Sequence, residues 1–175
     1  MAKPEEAVEV RLTSPEIMIA ANLGVMRRVS AMKNGRRQVN GGTDKGGKDW
    51  QSHIVGCLGE MAVAKALDRF WSATVGHIDR GDIGEDYEVR TRDVDRKGPD
   101  LVLTPRDKDD VPYILVHVNY PTEGRAPVFR LLGWYTTTEG RVDKYFQTKK
   151  TPGKDLWYIP PRDLFPMSDL PEPKP

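Results

Sequence analysis

The chain changes its period at Gly81-Asp82-Ile83-Gly84-Glu85-Asp86-Tyr87-Glu88-Val89-Arg90-Thr91. Two glycines and a run of acids mark a turn, and Tyr87–Thr91 then alternates, as a half-buried strand does. Upstream the apolar residues recur at helical spacing. Ser14-Pro15-Glu16 opens a first helix over about 15–33, with Ser14 as its cap, and Ile17, Ala20, Ala21, Val25 and Met32 form an apolar stripe that Asn34-Gly35 ends. A second helix runs from about Asp49 to Phe70. It carries Ile54, Leu58, Met61 and Leu67, with Gly56, Gly59, Ala62, Ala64 and Ala66 permitting close packing. Downstream, Leu101–Thr104, Tyr113–Asn119, Phe129–Thr136 and Trp157–Ile159 read as further strands between Gly, Pro and Asp clusters. Helices first and strands afterwards predict an α+β domain or a mixed α/β sandwich.

Composition narrows the classes. The 175 residues suit one domain, and four Trp, six Tyr and four Phe are enough to build a core despite 30% charged residues. A formal charge of +1 argues neither for nor against nucleic acid as a partner of the whole chain. One cysteine excludes a disulfide scaffold or a cysteine-based zinc site, and three scattered histidines form no metal cage. No apolar run approaches a membrane span, and Met-Ala-Lys-Pro-Glu-Glu has no signal-peptide core, so the expected setting is soluble and cytoplasmic. The expected organisation is an N-terminal helix and basic flexible loop over 1–48, a core domain over 49–166, and a Pro-rich tail over 167–175 with nothing to pack.

Glu60 stands out on the second helix because its face is shared with Gly56, Val63, Ala64 and Leu67. A carboxylate on a packing face needs a positive or hydrogen-bonding partner, which is either a structural arginine or a bound cation. Glu88 and Arg90 project to one face of their strand, with Asp82 in the turn before them. Two such carboxylates are able to hold a hard divalent cation through oxygen, although a solvated acidic turn has the same composition. A third feature is the basic stretch Arg27 to Lys48, with Arg27, Arg28, Lys33, Arg36, Arg37, Lys45 and Lys48 against Asp44 alone. It reads either as a phosphate-tracking segment or as a solvated linker.

Taken together, Gly59-Glu60-Met61-Ala62-Val63-Ala64, then Asp82, then Glu88-Val89-Arg90-Thr91 resemble the PD-(D/E)xK nuclease superfamily. The short separation of Asp82 from Glu88 is similar to that of the mismatch-repair nicking endonuclease. Leu101–Asp110 leading to Tyr113–Val116, and Leu132-Gly133-Trp134-Tyr135, look like phage-borne members. The resemblance covers roughly residues 50–165. It implies a restriction-endonuclease-like mixed sheet flanked by helices, α-β-β-β-α-β in its core, with an N-terminal helical extension.

The function so implied is metal-dependent cleavage of DNA. Asp82, Glu88 and the Val89 carbonyl would hold Mg²⁺ or Mn²⁺, and Glu60 would act as an outer or second-metal carboxylate, so that the three acids converge. Arg36, Arg37, Lys45 and Lys48 would meet the DNA. Arg90 stands as a catalytic candidate where the family has a water-orienting lysine; a guanidinium can stabilise the charged transition state but does not deprotonate at neutral pH, and Lys97 or Lys108 could take the lysine's place in space. The alternatives are an inactive nucleic-acid-binding module on the same fold and a phage structural or assembly protein; a homodimer or phage-protein partners fit either. A second register, Pro99-Asp100 followed by His117-Val118-Asn119, would leave the motif without its carboxylate and amine. His53 and Cys57 read as structural, and Trp134, Tyr135 and Trp157 as core aromatics.

Overall fold

The computed structural model describes residues 7–34, 48–75, 81–84, 86–93, 99–120, 126–147 and 155–173. The chain is a mixed α+β structure in three layers. β1 (Val8–Arg11) leads into α1 (Ser14–Lys33) and α2 (Lys48–Ala66). β2 (Glu88–Arg92), β3 (Leu101–Leu103), β4 (Pro112–Asn119) and β5 (Val128–Thr136) follow, then a four-residue helix α3 (Thr137–Gly140) and β6 (Trp157–Ile159). The main sheet has the order β1-β5-β4-β2, with β2 parallel to β4 and the other pairs antiparallel. β3 and β6 form a separate antiparallel pair.

The central strand β4 is buried on both sides, and its alternation sorts the two cores. Ile114, Val116 and Val118 join the cluster with Leu58, Ala62 and Val63 of α2. Tyr113 and Leu115 join Leu101, Leu103 and Ile159 of the small sheet. β2 is an edge strand in register with β4, Glu88 beside Tyr113 and Val89 beside Ile114. Val89 therefore faces the helices, whereas Glu88 and Arg90 face the small sheet.

The helices lie very close to what they cover. A Cβ on Gly24 would fall 2.5 Å from the Ile54 Cα of α2, and one on Gly59 would overlap the Thr91 hydroxyl of β2. These two glycines let α1 seat on α2 and α2 seat on the edge strand.

Thr13, not Ser14, caps α1, and Glu16 reaches back to the Thr13 amide at 2.6 Å, completing a capping box. Glu16 also meets Lys65 at 2.8 Å, and these contacts hold its carboxyl below the usual carboxylate range. A depressed folded-state pKa adds stability above the unfolded value and loses it as pH falls through the folded one. Glutamine can still complete the capping box, so Glu16→Gln is expected to cost no more than about 0.5 kcal/mol at pH 7, from the exposed Lys65 pair. In urea titrations the difference from the parent should begin to shrink as pH falls into the ordinary glutamate range and vanish only below the depressed folded-state pKa.

Three sequence expectations are corrected. The stripe of α1 is mixed: Ile17, Ala20 and Leu23 pack inward, while Val25 and Met32 are exposed. The 1–48 segment, expected as helix and loop, also contributes a strand to the main sheet over Val8–Arg11, because β1 adds to the free edge of β5. The tail does pack: Met167 and Leu170 lie against the main core, and the Tyr87 hydroxyl donates to the Pro171 carbonyl at 2.7 Å. Its prolines lack N–H groups, but their carbonyls still accept hydrogen bonds.

Candidate functional site

Asp82 is fixed by the turn that the sequence marks. Its amide and that of Ile83 donate to the Tyr87 carbonyl at 3.0 and 3.2 Å, and Gly84 takes the left-handed conformation that closes the turn. The Asp82 carboxylate then accepts from the Val89 amide at 2.8 Å, using Oδ2. This bond is available because β2 is an edge strand, and it ties the aspartate to the strand bearing Glu88.

Glu88 is buried, and its Oε1 accepts from Lys108 Nζ at 2.8 Å. Burial raises its pKa and so does the neighbouring Asp82 charge, while Lys108 and Arg90 act in the opposite direction. Lys108 is firmly placed. Its amide donates to the Tyr113 hydroxyl at 2.8 Å, and its carbonyl accepts from Thr137 Oγ1 at 3.0 Å. The β3–β4 connection that carries it is folded by Asp107, which accepts from the Thr104 amide at 2.8 Å and from the Thr104 hydroxyl at 3.0 Å.

Arg90 reaches the same connection. Its NH2 donates to Asp107 Oδ1 at 2.9 Å, and its guanidinium lies 4.8 Å from the centre of the Tyr113 ring. NH1 is 3.3 Å from the Val89 carbonyl and 3.9 Å from Glu88 Oε2. Arg92, two residues on along the same face, has its pKa lowered by burial first and then by the neighbouring Arg90 charge. Cationic groups thus border the Asp82–Glu88 pair on the small-sheet side.

Glu60 belongs to the other side of the sheet. Its carboxylate is gripped by both terminal nitrogens of Arg27 from α1, with NH2 to Oε2 at 2.9 Å. Trp71 Nε1 donates to the same Oε2 at 3.0 Å, and Arg27 Nε donates to the Thr74 carbonyl at 2.9 Å. Burial pushes the Glu60 carboxyl up to about 7, helped by the Asp82 charge and opposed by Arg27. Asp82 at the sheet edge therefore acts on both Glu60 and Glu88. Among the described residues, no three acids, histidines or cysteines are grouped to hold a metal ion. Glu60 is thus held by a bidentate arginine pair, and Asp82 stays within electrostatic reach of both Glu60 and Glu88.

The remaining sequence candidates fall as follows. Arg36, Arg37 and Lys45, and Lys97, lie outside the described residues, as does the Lys48 side chain. Asp100 leads into β3 of the small sheet, whereas His117 lies beside Arg92 in the main sheet, so the second register divides between two sheets. Cys57 is buried with its thiol pushed up to about 12, chiefly by burial, which leaves it an inert apolar filler. Trp134 is buried against Phe165, with ring centres 4.9 Å apart.

Arg27, Trp71 and Asp107 were not named as site-building residues by the sequence reading. Arg27 shares a helical face with Gly24, the close-contact position, and that spacing was the available signal. Thr104 and Asp107, three apart before a strand, carry the signature of a side-chain-capped turn.

No protein-family model, curated protein or solved structure matches the chain. Among the described residues, no helix is long and apolar enough to cross a membrane.

Proposed function

We propose that the chain is a metal-dependent DNA endonuclease of the PD-(D/E)xK type on a restriction-endonuclease-like variant of its α+β fold. The observation that carries this reading is Lys108 Nζ at 2.8 Å from Glu88. It brings to the acidic strand the ammonium that the Glu-x-Arg sequence lacks.

The donor set suits Mg²⁺ or Mn²⁺. Asp82 and Glu88 are hard oxygen donors, and Asp82 Oδ1 and Glu88 Oε2 have no hydrogen bond within 3.5 Å among the described residues. The repulsion that raises the Glu88 pKa is what a bound cation would relieve. Such an ion supplies Lewis acidity toward a phosphate and makes a water nucleophilic at neutral pH. Lys108 would orient an attacking water and stabilise the charge it develops, since an ammonium is a compact donor fixed here through its backbone. Arg90 and Arg92 place positive charge beside the acids, where it would attract a phosphodiester. Because the acids must be ionised to hold the ion, cleavage rises with pH as Glu88 loses its proton.

A second reading is favoured by one contact. Arg90 NH1 lies 3.3 Å from the Val89 carbonyl, the backbone ligand of the metal reading. A guanidinium that stays there makes the site a phosphate clamp without turnover, a nucleic-acid-binding module. Incubating supercoiled plasmid with the protein and Mg²⁺ or Mn²⁺ separates the two. The nuclease reading expects nicked or linear product that Glu88→Ala eliminates. Retention of DNA with no product in either metal would support the binding module, and product surviving Glu88→Ala would remove the site.

A further inference from the structure

α1 is apolar on two sides. Ile17, Ala20, Leu23 and Gly24 are covered by the rest of the chain, while Met18, Ile19, Val25, Met26, Val29 and Met32 are exposed. A helix apolar on both sides is normally covered on both, and a continuous exposed patch of this kind marks an interaction surface.

The spacing gives this face the geometry of a helix seam. Met18, Asn22, Val25, Val29 and Met32 are separated by four, three, four and three residues, the a/d seam of a helix pair, with Ile19 and Met26 flanking it. This seam calls for another helix lying nearly along α1. We propose that the partner is a second copy of this chain, its α1 parallel and in register about a two-fold axis, so that the protein is a homodimer.

Asn22 selects a like copy. It is exposed in the middle of an apolar seam, where burial demands both a donor and an acceptor at its own level. An in-register copy supplies the same amide, which pairs with itself across the axis and fixes register and strand number. The charged residues of this segment do not oppose the pairing. Arg27 and Arg28 point the other way, toward Glu60 and Asp49. The seam extends about 21 Å along the helix, enough for an interface on the order of 1,000 Å².

Sedimentation equilibrium on the full chain tests this. At about 100 μM the expected mass is twice the 19.8 kDa of the chain, and Val25→Glu is expected to weaken association at least about 100-fold with an unchanged circular-dichroism spectrum. Val25→Cys should give a disulfide-linked dimer on mild oxidation, because a parallel in-register pair sets Val25 against Val25. Buried Cys57 does not compete for the bridge. A monomer at that concentration, a dimer indifferent to Val25→Glu, or a dimer that Val25→Cys does not cross-link would each overturn the proposal.

Discussion

Lys108→Met is expected to lower metal-dependent plasmid cleavage about 10²–10³-fold, the usual loss when one positioned donor to developing charge is removed. Methionine keeps most of the length and apolar stem of lysine, so the β3–β4 connection should hold its shape. That connection is fixed through the backbone of Lys108 and the Asp107 side chain, not through the ammonium. Arg90→Lys should behave differently. Arg90 is held by Asp107 and Tyr113, and a shorter side chain would release the Val89 carbonyl. The nuclease reading therefore expects Arg90→Lys to retain or raise cleavage. In a binding module the same change weakens DNA retention and yields no product, because the bidentate fork that grips a phosphate is lost.

The second large effect concerns Arg27. Arg27→Met leaves Glu60 buried near Asp82 with, among the described residues, only Trp71 to hydrogen-bond it, and breaking a buried pair in this way costs about 3 kcal/mol or more. The sign with pH follows from the raised carboxyl. A group whose folded pKa lies above its unfolded one adds stability below the unfolded value, and loses it as pH rises through the folded one. Glu60 already stands at about 7, and loss of the guanidinium raises it further. The destabilisation by Arg27→Met should therefore be greatest at pH 8 and much smaller at pH 5, measured as urea midpoints. Adding Glu60→Gln should recover most of the loss at pH 8. Equal losses at both pH values would mean that packing of the arginine stem, not charge, sets the effect.

How far the sequence could be read follows from the same residues. The helices and strands were legible because local patterning decides them: the Trp157–Ile159 expectation matches β6, and the change of period near Tyr87 marks β2 to within a residue. β1 was not read, since four mixed residues with one buried side chain gain strand geometry only from pairing with β5. The exposed half of α1 was assigned inward because helical spacing identifies apolar faces but not their partners. At the site, Asp82, Glu88 and Arg90 were legible as one strand and its turn. Lys108 was legible as one of two lysines able to supply the ammonium, but its contact with Glu88 and the Glu60–Arg27 pair were not, because each joins elements far apart in the chain. Whether Glu60 meets a cation or an arginine depends on which face of β2 the helix covers, and helical periodicity alone does not contain that fact.

The central claim is that Asp82 and Glu88 hold a divalent cation, and a crystal soaked in Mn²⁺ tests it most directly. An anomalous peak between Asp82 Oδ1 and Glu88 Oε2, with oxygen distances of about 2.1 Å and Arg90 withdrawn from the Val89 carbonyl, is the predicted result. A crystal with no peak there, and Arg90 still hydrogen-bonded to Val89, would contradict it.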